Sequence, residues 1–188
     1  MTRRPSVSSR HAEVVRRARP QPRGHLSLRI RPARRGDFPA LAALMAASPL
    51  LERYGTTRRT ALAALARGRA SGDRLIVAVA PDGRMVGMAW VLPSRILTGA
   101  AYLRLLLVAE ERQRAGTGAA LLAAAETAAR LVANHLVLLA TAGNTGARRF
   151  YVRHGYRHVG DLPGLARAGL DEALYWKTLR PHSRRLPI

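Results

Sequence analysis

Gln113-Arg114-Ala115-Gly116-Thr117-Gly118 is the stretch whose reading decides the fold. On its N-terminal side, Ala101 to Val108 is an apolar run with strand character. On its C-terminal side, Gly118 to Ala133 is rich in alanine and leucine and predicts a helix. Backbone N–H groups at a helix start have no intrahelical acceptor, and the helix dipole adds partial positive charge there, so such a turn can hold a pyrophosphate. Gly116 and Gly118 permit that close approach, yet glycines also make a tight turn with nothing bound, and these residues alone leave both uses open. Two other phosphate motifs fail. A Rossmann fingerprint needs a third glycine where Leu121 stands, and a Walker loop needs Gly-Lys-Ser/Thr, which never occurs.

Working outward, Leu26, Leu28 and Ile30 alternate with polar residues as in a half-buried strand, which Pro32 interrupts. Asp37 is placed to cap a helix that buries Phe38, Leu41, Leu44 and Met45 and fades before Pro49. A second helix is expected from Arg58 to Arg69, burying Leu62 and Leu65. Leu75 to Ala80 and Met85 to Val91 flank Pro81-Asp82-Gly83 and predict an antiparallel hairpin. Beyond the glycine turn, His135 to Thr141 reads as a buried strand, Thr145 to His154 as a short helix, and Tyr156 to Val159 and Ala173 to Leu179 as short strands. This order, strand, two helices, three strands, helix, strand, helix, two strands, describes a mixed α/β or α+β domain without repeats.

The glycine turn matches the Gln/Arg-x-x-Gly-x-Gly/Ala signature of the GNAT superfamily of N-acetyltransferases. Downstream, Asn144-Thr145-Gly146-Ala147-Arg148-Arg149-Phe150-Tyr151, followed by Gly155-Tyr156, is similar to that family's N-x-x-A-x-x-F-Y…G-F/Y segment. The two motifs are correctly separated and embedded in the family's element order, and the resemblance covers residues 26–179. It implies a mixed sheet of about seven strands flanked by about four helices, with a V-shaped opening between strands four and five. It also implies acetyl-coenzyme A (acetyl-CoA) as co-substrate and no metal. By the same resemblance, Leu106, Leu107 and Val108 offer backbone partners to the pantetheine arm. The amides of Gln113, Arg114, Ala115, Gly116, Thr117 and Gly118 face the pyrophosphate, and Asn144, Ala147 and Tyr151 lie near the coenzyme. Asn144 is equally placed to cap its helix, a role compatible with coenzyme contact, and Leu106 to Val108 would be core with or without a ligand.

Acetyl transfer needs a neutral amine, an environment for the developing oxyanion and a proton for the departing thiolate. Tyr151 matches the tyrosine that serves as general acid in many members of the family; packing beside Phe150 is the other reading. Many relatives carry a base on strand four, but Ala101 to Val108 holds no Asp or Glu. Glu110 and Glu111 belong to the turn, and His135, His154 and His158 have no metal-ligand spacing. Water can remove the amine proton if proximity and orientation carry the reaction. Acceptor selection is expected around Ser48 to Thr57 and Gly160 to Asp171, with Glu52, Tyr54, Tyr102 and Arg104 as candidate substrate contacts. Glu52 could attract a cationic amine or be a solvated loop carboxylate.

Composition bounds the rest. The 188 residues, 48% of them hydrophobic, suffice for one domain with a substantial core. The absence of cysteine excludes disulfides and thiolate chemistry. No apolar window reaches membrane-spanning length, and seven arginines in residues 1–25 leave no room for a signal peptide, so a cytoplasmic protein without membrane attachment is expected. Residues 1–25 read as a basic, disordered extension, residues 26–179 as the catalytic domain and residues 180–188 as a basic tail. The formal charge of +21 raises nucleic-acid binding through these termini, although no aromatic residues interleave their arginines. Between Leu26 and Leu179 there remain 22 basic against 10 acidic residues, and arginine outnumbers lysine 31 to one, as genome-wide composition bias would also produce. The function expected is acetyl transfer to a primary amine of a small molecule or peptide N terminus, by direct attack in a ternary complex, with a homodimer as a further expectation. The alternatives are a non-catalytic acyl-CoA-binding protein of the same fold, or a nucleic-acid-associated protein.

Overall fold

A computed structural model describes residues 28–97 and 99–179. The extension, the tail and the first two residues of the expected first strand, Leu26 and Ser27, lie outside the described residues. Seven strands form one sheet: β1 (Arg29–Pro32), β2 (Arg74–Val79), β3 (Met85–Leu97), β4 (Ala100–Val108), β5 (His135–Thr141), β6 (Arg157–Arg167) and β7 (Leu170–Thr178). Their order is β1-β2-β3-β4-β5-β7-β6, and the pairing of β4 with β5 is parallel. The helices are α1 (Phe38–Ala46), α2 (Pro49–Glu52), α3 (Arg58–Ala70), α4 (Thr117–Arg130) and α5 (Thr145–Arg153).

Both faces of the sheet are covered. Ile76, Ala78 and Ala80 point into a core completed by Leu121, Leu122, Ala125 and Ala129 of α4. Their alternates Leu75, Val77 and Val79 point into a second core with Phe38, Leu41 and Met45 of α1, Leu65 of α3, and Met88 and Trp90 of β3. The alanines of α4 are small enough to bring its axis close to the strands. At its far side Glu126 accepts from Lys177 Nζ at 2.7 Å and from the Tyr156 hydroxyl at 3.2 Å, while Lys177 also donates to the His154 carbonyl at 2.8 Å.

Several expectations are corrected in detail. Pro32 is the last residue of β1, paired with Ile76 on an edge strand where its missing N–H is tolerated. Asp37 precedes α1 but does not cap it with its side chain; the carboxylate accepts from the Arg34 amide at 2.7 Å and from the Arg31 guanidinium at 2.6 and 2.9 Å. After α1 the segment expected as a loop contains α2, started by Pro49 and by Ser48, whose hydroxyl accepts from the Leu51 amide. Leu62 is 42% exposed, because α3 buries Ala61, Leu65 and Gly68 instead. The last two strands form one long hairpin, so most of Gly160 to Asp171 is strand and not connecting loop.

Candidate active site

The parallel pairing of β4 and β5 stops early. Ala100 to Leu103 lie opposite His135 to Leu138, and beyond that pair the strands separate. Leu105 to Val108 then pair with β3 alone, and Leu139 to Thr141 with β7 alone, so two backbone edges face each other across a V. The divergence has a local cause. Trp90 is opposite Leu105 while Val91 is opposite Leu103, which makes Arg104 an extra residue in β4. A bulge of this kind bends its strand and re-aims a side chain. It falls one residue past the last β4–β5 pair, and it places the Arg104 guanidinium 4.8 Å from the Trp90 ring centroid.

The V opens on a cavity of about 630 Å³. One wall comes from α1 to α3 and their connections, including Met45, Leu51, Tyr54, Ala64 and Arg67. Trp90 of β3, Tyr102, Arg104 and Leu106 of β4, Ala140 and Thr141 of β5, and Ala166 and Glu172 of the β6–β7 hairpin continue it. Asn144, Ala147 and Tyr151 close the other side. Tyr151 is 7% exposed, with its ring centroid 5.3 Å from Phe150, 5.6 Å from Tyr156 and 6.1 Å from Tyr175. No hydrogen bond engages its hydroxyl among the described residues. Burial first, and the neighbouring Tyr102 second, push its pKa well above the ordinary tyrosine value, so the hydroxyl stays protonated into the alkaline range.

The Tyr54 hydroxyl meets Thr141 Oγ1 at 2.9 Å and donates to Glu172 Oε1. Burial, then the bond to Glu172, raise its pKa. Tyr102 is raised as well, chiefly by burial, with Arg104 opposing and Glu172 reinforcing. Tyr102 therefore sits electrostatically between Tyr151 and the Tyr54–Glu172 pair.

Outside the cavity, the glycine turn begins α4. Gly116 at φ +81° is the residue before the helix, and Arg114 at φ +61° also takes the left-handed conformation. Gln113 donates its amide to the Glu110 carbonyl at 3.1 Å. The amides of Arg114, Ala115 and Gly116 have no acceptor among the described residues. Thr117 Oγ1 is buried without a partner in a residue 1% exposed. Orphaned donors and a buried hydroxyl at a helix N terminus suit the oxygens of a pyrophosphate, so the residues present fit that group. Asn144 caps α5, its Oδ1 accepting from the Ala147 amide at 3.0 Å, and both residues also line the cavity.

The structure thus brings Tyr54, Tyr102, Arg104, Leu106, Asn144, Ala147 and Tyr151 to one cavity. Leu107 and Val108 lie further along the open edge of β4, and Glu52 is exposed outside the cavity wall. Sequence reasoning missed Glu172, Thr141 and Trp90. Glu172 falls between the segment expected to select the acceptor and the strand expected to begin at Ala173. Buried residues stand on both sides of the sheet there, so no alternation marks it.

The chain belongs to the GNAT acetyltransferase family: the model of the acetyltransferase (GNAT) domain matches residues 52–170. Among solved structures, the N-acetyltransferase of Staphylococcus aureus Mu50 superposes with a TM-score of 0.70 at 19% identity, over 82% of this chain and 99% of that one. The ribosomal-protein-alanine N-acetyltransferase of Brucella melitensis gives 0.66 at 24% identity, over 80% and 99%. The yncA protein of Salmonella typhimurium, solved with its cofactor acetyl-CoA, gives 0.67 at 18% identity, over 84% and 96%. At these identities the likeness establishes the fold. Comparison with curated proteins gives no match. Among the described residues no helix is long and apolar enough to cross a membrane.

Proposed function

We propose that this acetyltransferase moves the acetyl group of acetyl-CoA to the nitrogen of a primary amine, both substrates meeting in the cavity where β4 and β5 separate. The observation that carries the reading is Tyr151, a side chain 7% exposed in the cavity wall whose hydroxyl is protonated and free of any hydrogen bond among the described residues. The hydroxyl of a tyrosine this buried usually finds a partner. One left free beside Asn144 and Ala147 is suited to giving its proton to a departing sulfur. The coenzyme supplies an activated acyl carbon and a thiolate leaving group. Arg114 to Gly118 hold its pyrophosphate, the open edge of β4 at Leu106 to Val108 receives its pantetheine arm, and Asn144, Ala147 and Tyr151 border its thioester end. Tyr54 and Tyr102 orient the acceptor from the opposite side. A peptide N terminus is among the amines the reading admits, and the Brucella protein is named as a ribosomal-protein-alanine N-acetyltransferase.

Thiol release from acetyl-CoA tests this with a panel of polyamines, amino acids, aminoglycosides and N-terminal peptides. With a competent amine, Tyr151→Phe should lower kcat by about 10²- to 10⁴-fold, the usual contribution of general acid catalysis, at the lower end if water substitutes. Calorimetric acetyl-CoA affinity should stay near that of the wild type. A wild-type kcat in the variant would reduce Tyr151 to packing, and no release with any amine would favour an acyl-CoA-binding protein without turnover.

A further inference from the structure

Among the described residues, three acidic side chains are buried: Asp37, Glu126 and Glu172. Two have basic partners. Asp37 holds Arg31 at 2.6 Å, and Glu126 holds Lys177 at 2.7 Å and Arg130 at 3.4 Å. Glu172, 5% exposed, forms no ion pair among the described residues although the chain carries 32 basic residues. A desolvated carboxylate without a counter-charge is costly, and a buried charge normally finds a partner. This one lines the cavity, held at Oε1 by Tyr54, while Oε2 accepts from no described residue.

We infer that Glu172 is the residue that receives the acceptor's ammonium and takes its proton, and that the cavity selects amines carrying a single positive charge. The inference rests on the acetyl-transfer reading and supplies the proton acceptor that β4 lacks. An ammonium at Oε2 completes the missing ion pair. Before the transfer one ammonium N–H bond breaks, its electrons becoming the nitrogen lone pair, and an O–H bond forms on the carboxylate, which later yields its proton to water at the cavity mouth. As the N–C bond then forms and the C–S bond breaks, Tyr151 protonates the departing sulfur and regains its proton from the second N–H, leaving the amide and a neutral thiol. Tyr54 acts as a positioning residue, fixing the carboxylate through a hydroxyl that also meets Thr141 at 2.9 Å. The rest of the wall sets the limit on charge. Arg67 and Arg104 line the same cavity, so a second ammonium would meet cations and no second carboxylate. The neighbouring Met45, Leu51 and Ala64 suit an uncharged body. Polyamines and aminoglycosides are therefore disfavoured acceptors.

The experiment is calorimetry on the full chain without coenzyme, with hexylamine, 1-hexanol and 1,6-diaminohexane as probes, followed by turnover with both amines. Hexylamine should bind at least about tenfold more tightly than either other probe, as loss of a buried charge partner or a like-charge contact predicts. Glu172→Gln should abolish that preference and lower kcat/KM for hexylamine by about 10²-fold or more. Its acetyl-CoA affinity should be unchanged and its Tm should not fall, since an unpaired buried charge is removed, and Glu172→Asp should restore part of the loss. If the Gln variant does not fold, the wild-type preference for hexylamine over hexanol carries the test. Equal binding of hexanol, equal binding of the diamine, or an unchanged preference in a folded Gln variant overturns the inference. Any of these leaves acetyl transfer to amines standing. Glu172-dependent binding of hexylamine with no thiol release from any amine would instead sink the transfer reading.

Discussion

Gly68→Ala is a substitution that ordinarily stabilises a helix, and here it should do the reverse. Gly68 lies on the face of α3 that meets Trp90, and a Cβ there would sit 2.4 Å from Trp90 Cζ2, 3.0 Å from Trp90 Cε2 and 2.9 Å from Asp73 Oδ2. Neither neighbour can retreat freely. The indole is 2% exposed, and its Nε1 donates to that same Asp73 oxygen at 2.8 Å. Replacing an interior helical glycine by alanine gains about 1 kcal/mol, whereas overpacking a fitted core costs about 1–3 kcal/mol. With overlap this deep the steric term takes its upper range, leaving a net loss of about 1–2 kcal/mol. For a chain of this size each kcal/mol moves Tm by about 2–4 °C, so Tm should fall by about 2–8 °C. Thermal unfolding followed by circular dichroism reads this directly. Trp90→Phe removes the overlapping part of the ring, and in that background the added methyl should cost little, a coupling that a double-mutant cycle isolates. Because Trp90 supports Arg104 at the cavity, the acceptor's KM should rise in Gly68→Ala while acetyl-CoA affinity holds. A Tm at or above that of the wild type would refute the packing argument.

Gly116→Val should weaken acetyl-CoA binding strongly, because φ +81° is a conformation that a β-branched residue adopts only under strain; unchanged calorimetric affinity in a folded variant would remove the turn from the coenzyme site. Asp37→Asn should destabilise the protein at neutral pH but not in strong acid. The hydrogen bond from Arg31, and then that from the Arg34 amide, hold the Asp37 pKa below its unfolded value against the opposing effect of burial. Its contribution is thus present above the unfolded pKa, near 3.9, and lost as pH falls through the folded one. Denaturation curves of wild type and variant should converge in that window, and a gap that persists below it would contradict the assignment.

The segments proposed to hold the coenzyme are legible in the sequence as structure because they are built from backbone. A strand, a glycine turn, a helix start and a capping asparagine each leave a local mark in residue type. The wall of the cavity around Tyr54 and Glu172, proposed to meet the acceptor, is built by contacts that no local pattern records. The bulge at Arg104 exists only as a mismatch of register between β3 and β4. Glu172 reaches Tyr54 across 118 positions of chain, and its strand is covered on both faces, so neither periodicity nor burial distinguishes it. The exchange of Leu62 for Gly68 on the buried face of α3 has a similar origin. Hydrophobicity favours leucine, but the flat indole of Trp90 demands the smallest side chain at that crossing. The length of the β6–β7 hairpin is hard to read because β6 is largely exposed and shows no alternation, with Pro163, Gly160 and Gly164 within it. An edge strand accommodates such residues as irregularities, and here the register shifts between His158 and Gly160 and between Leu162 and Arg167.

The arrangement around Lys177 has a chemical consequence. It is the only lysine in the chain, and its nitrogen is held by Glu126, by the His154 carbonyl and over the face of Tyr156, 5.3 Å from the ring centroid. A side-chain amine becomes acylated only when its lone pair is free and its approach is open, and this one is clamped on three sides. Everywhere else the chain's long cationic side chains are guanidinium groups, which resist acylation under the same conditions. A protein that belongs to a family of acetyltransferases therefore offers almost no lysine surface for reactive thioesters to modify. Side-chain self-acetylation should contribute negligible background to thiol release, and amine-directed labels should leave the lysine largely untouched until the fold around α4 is opened.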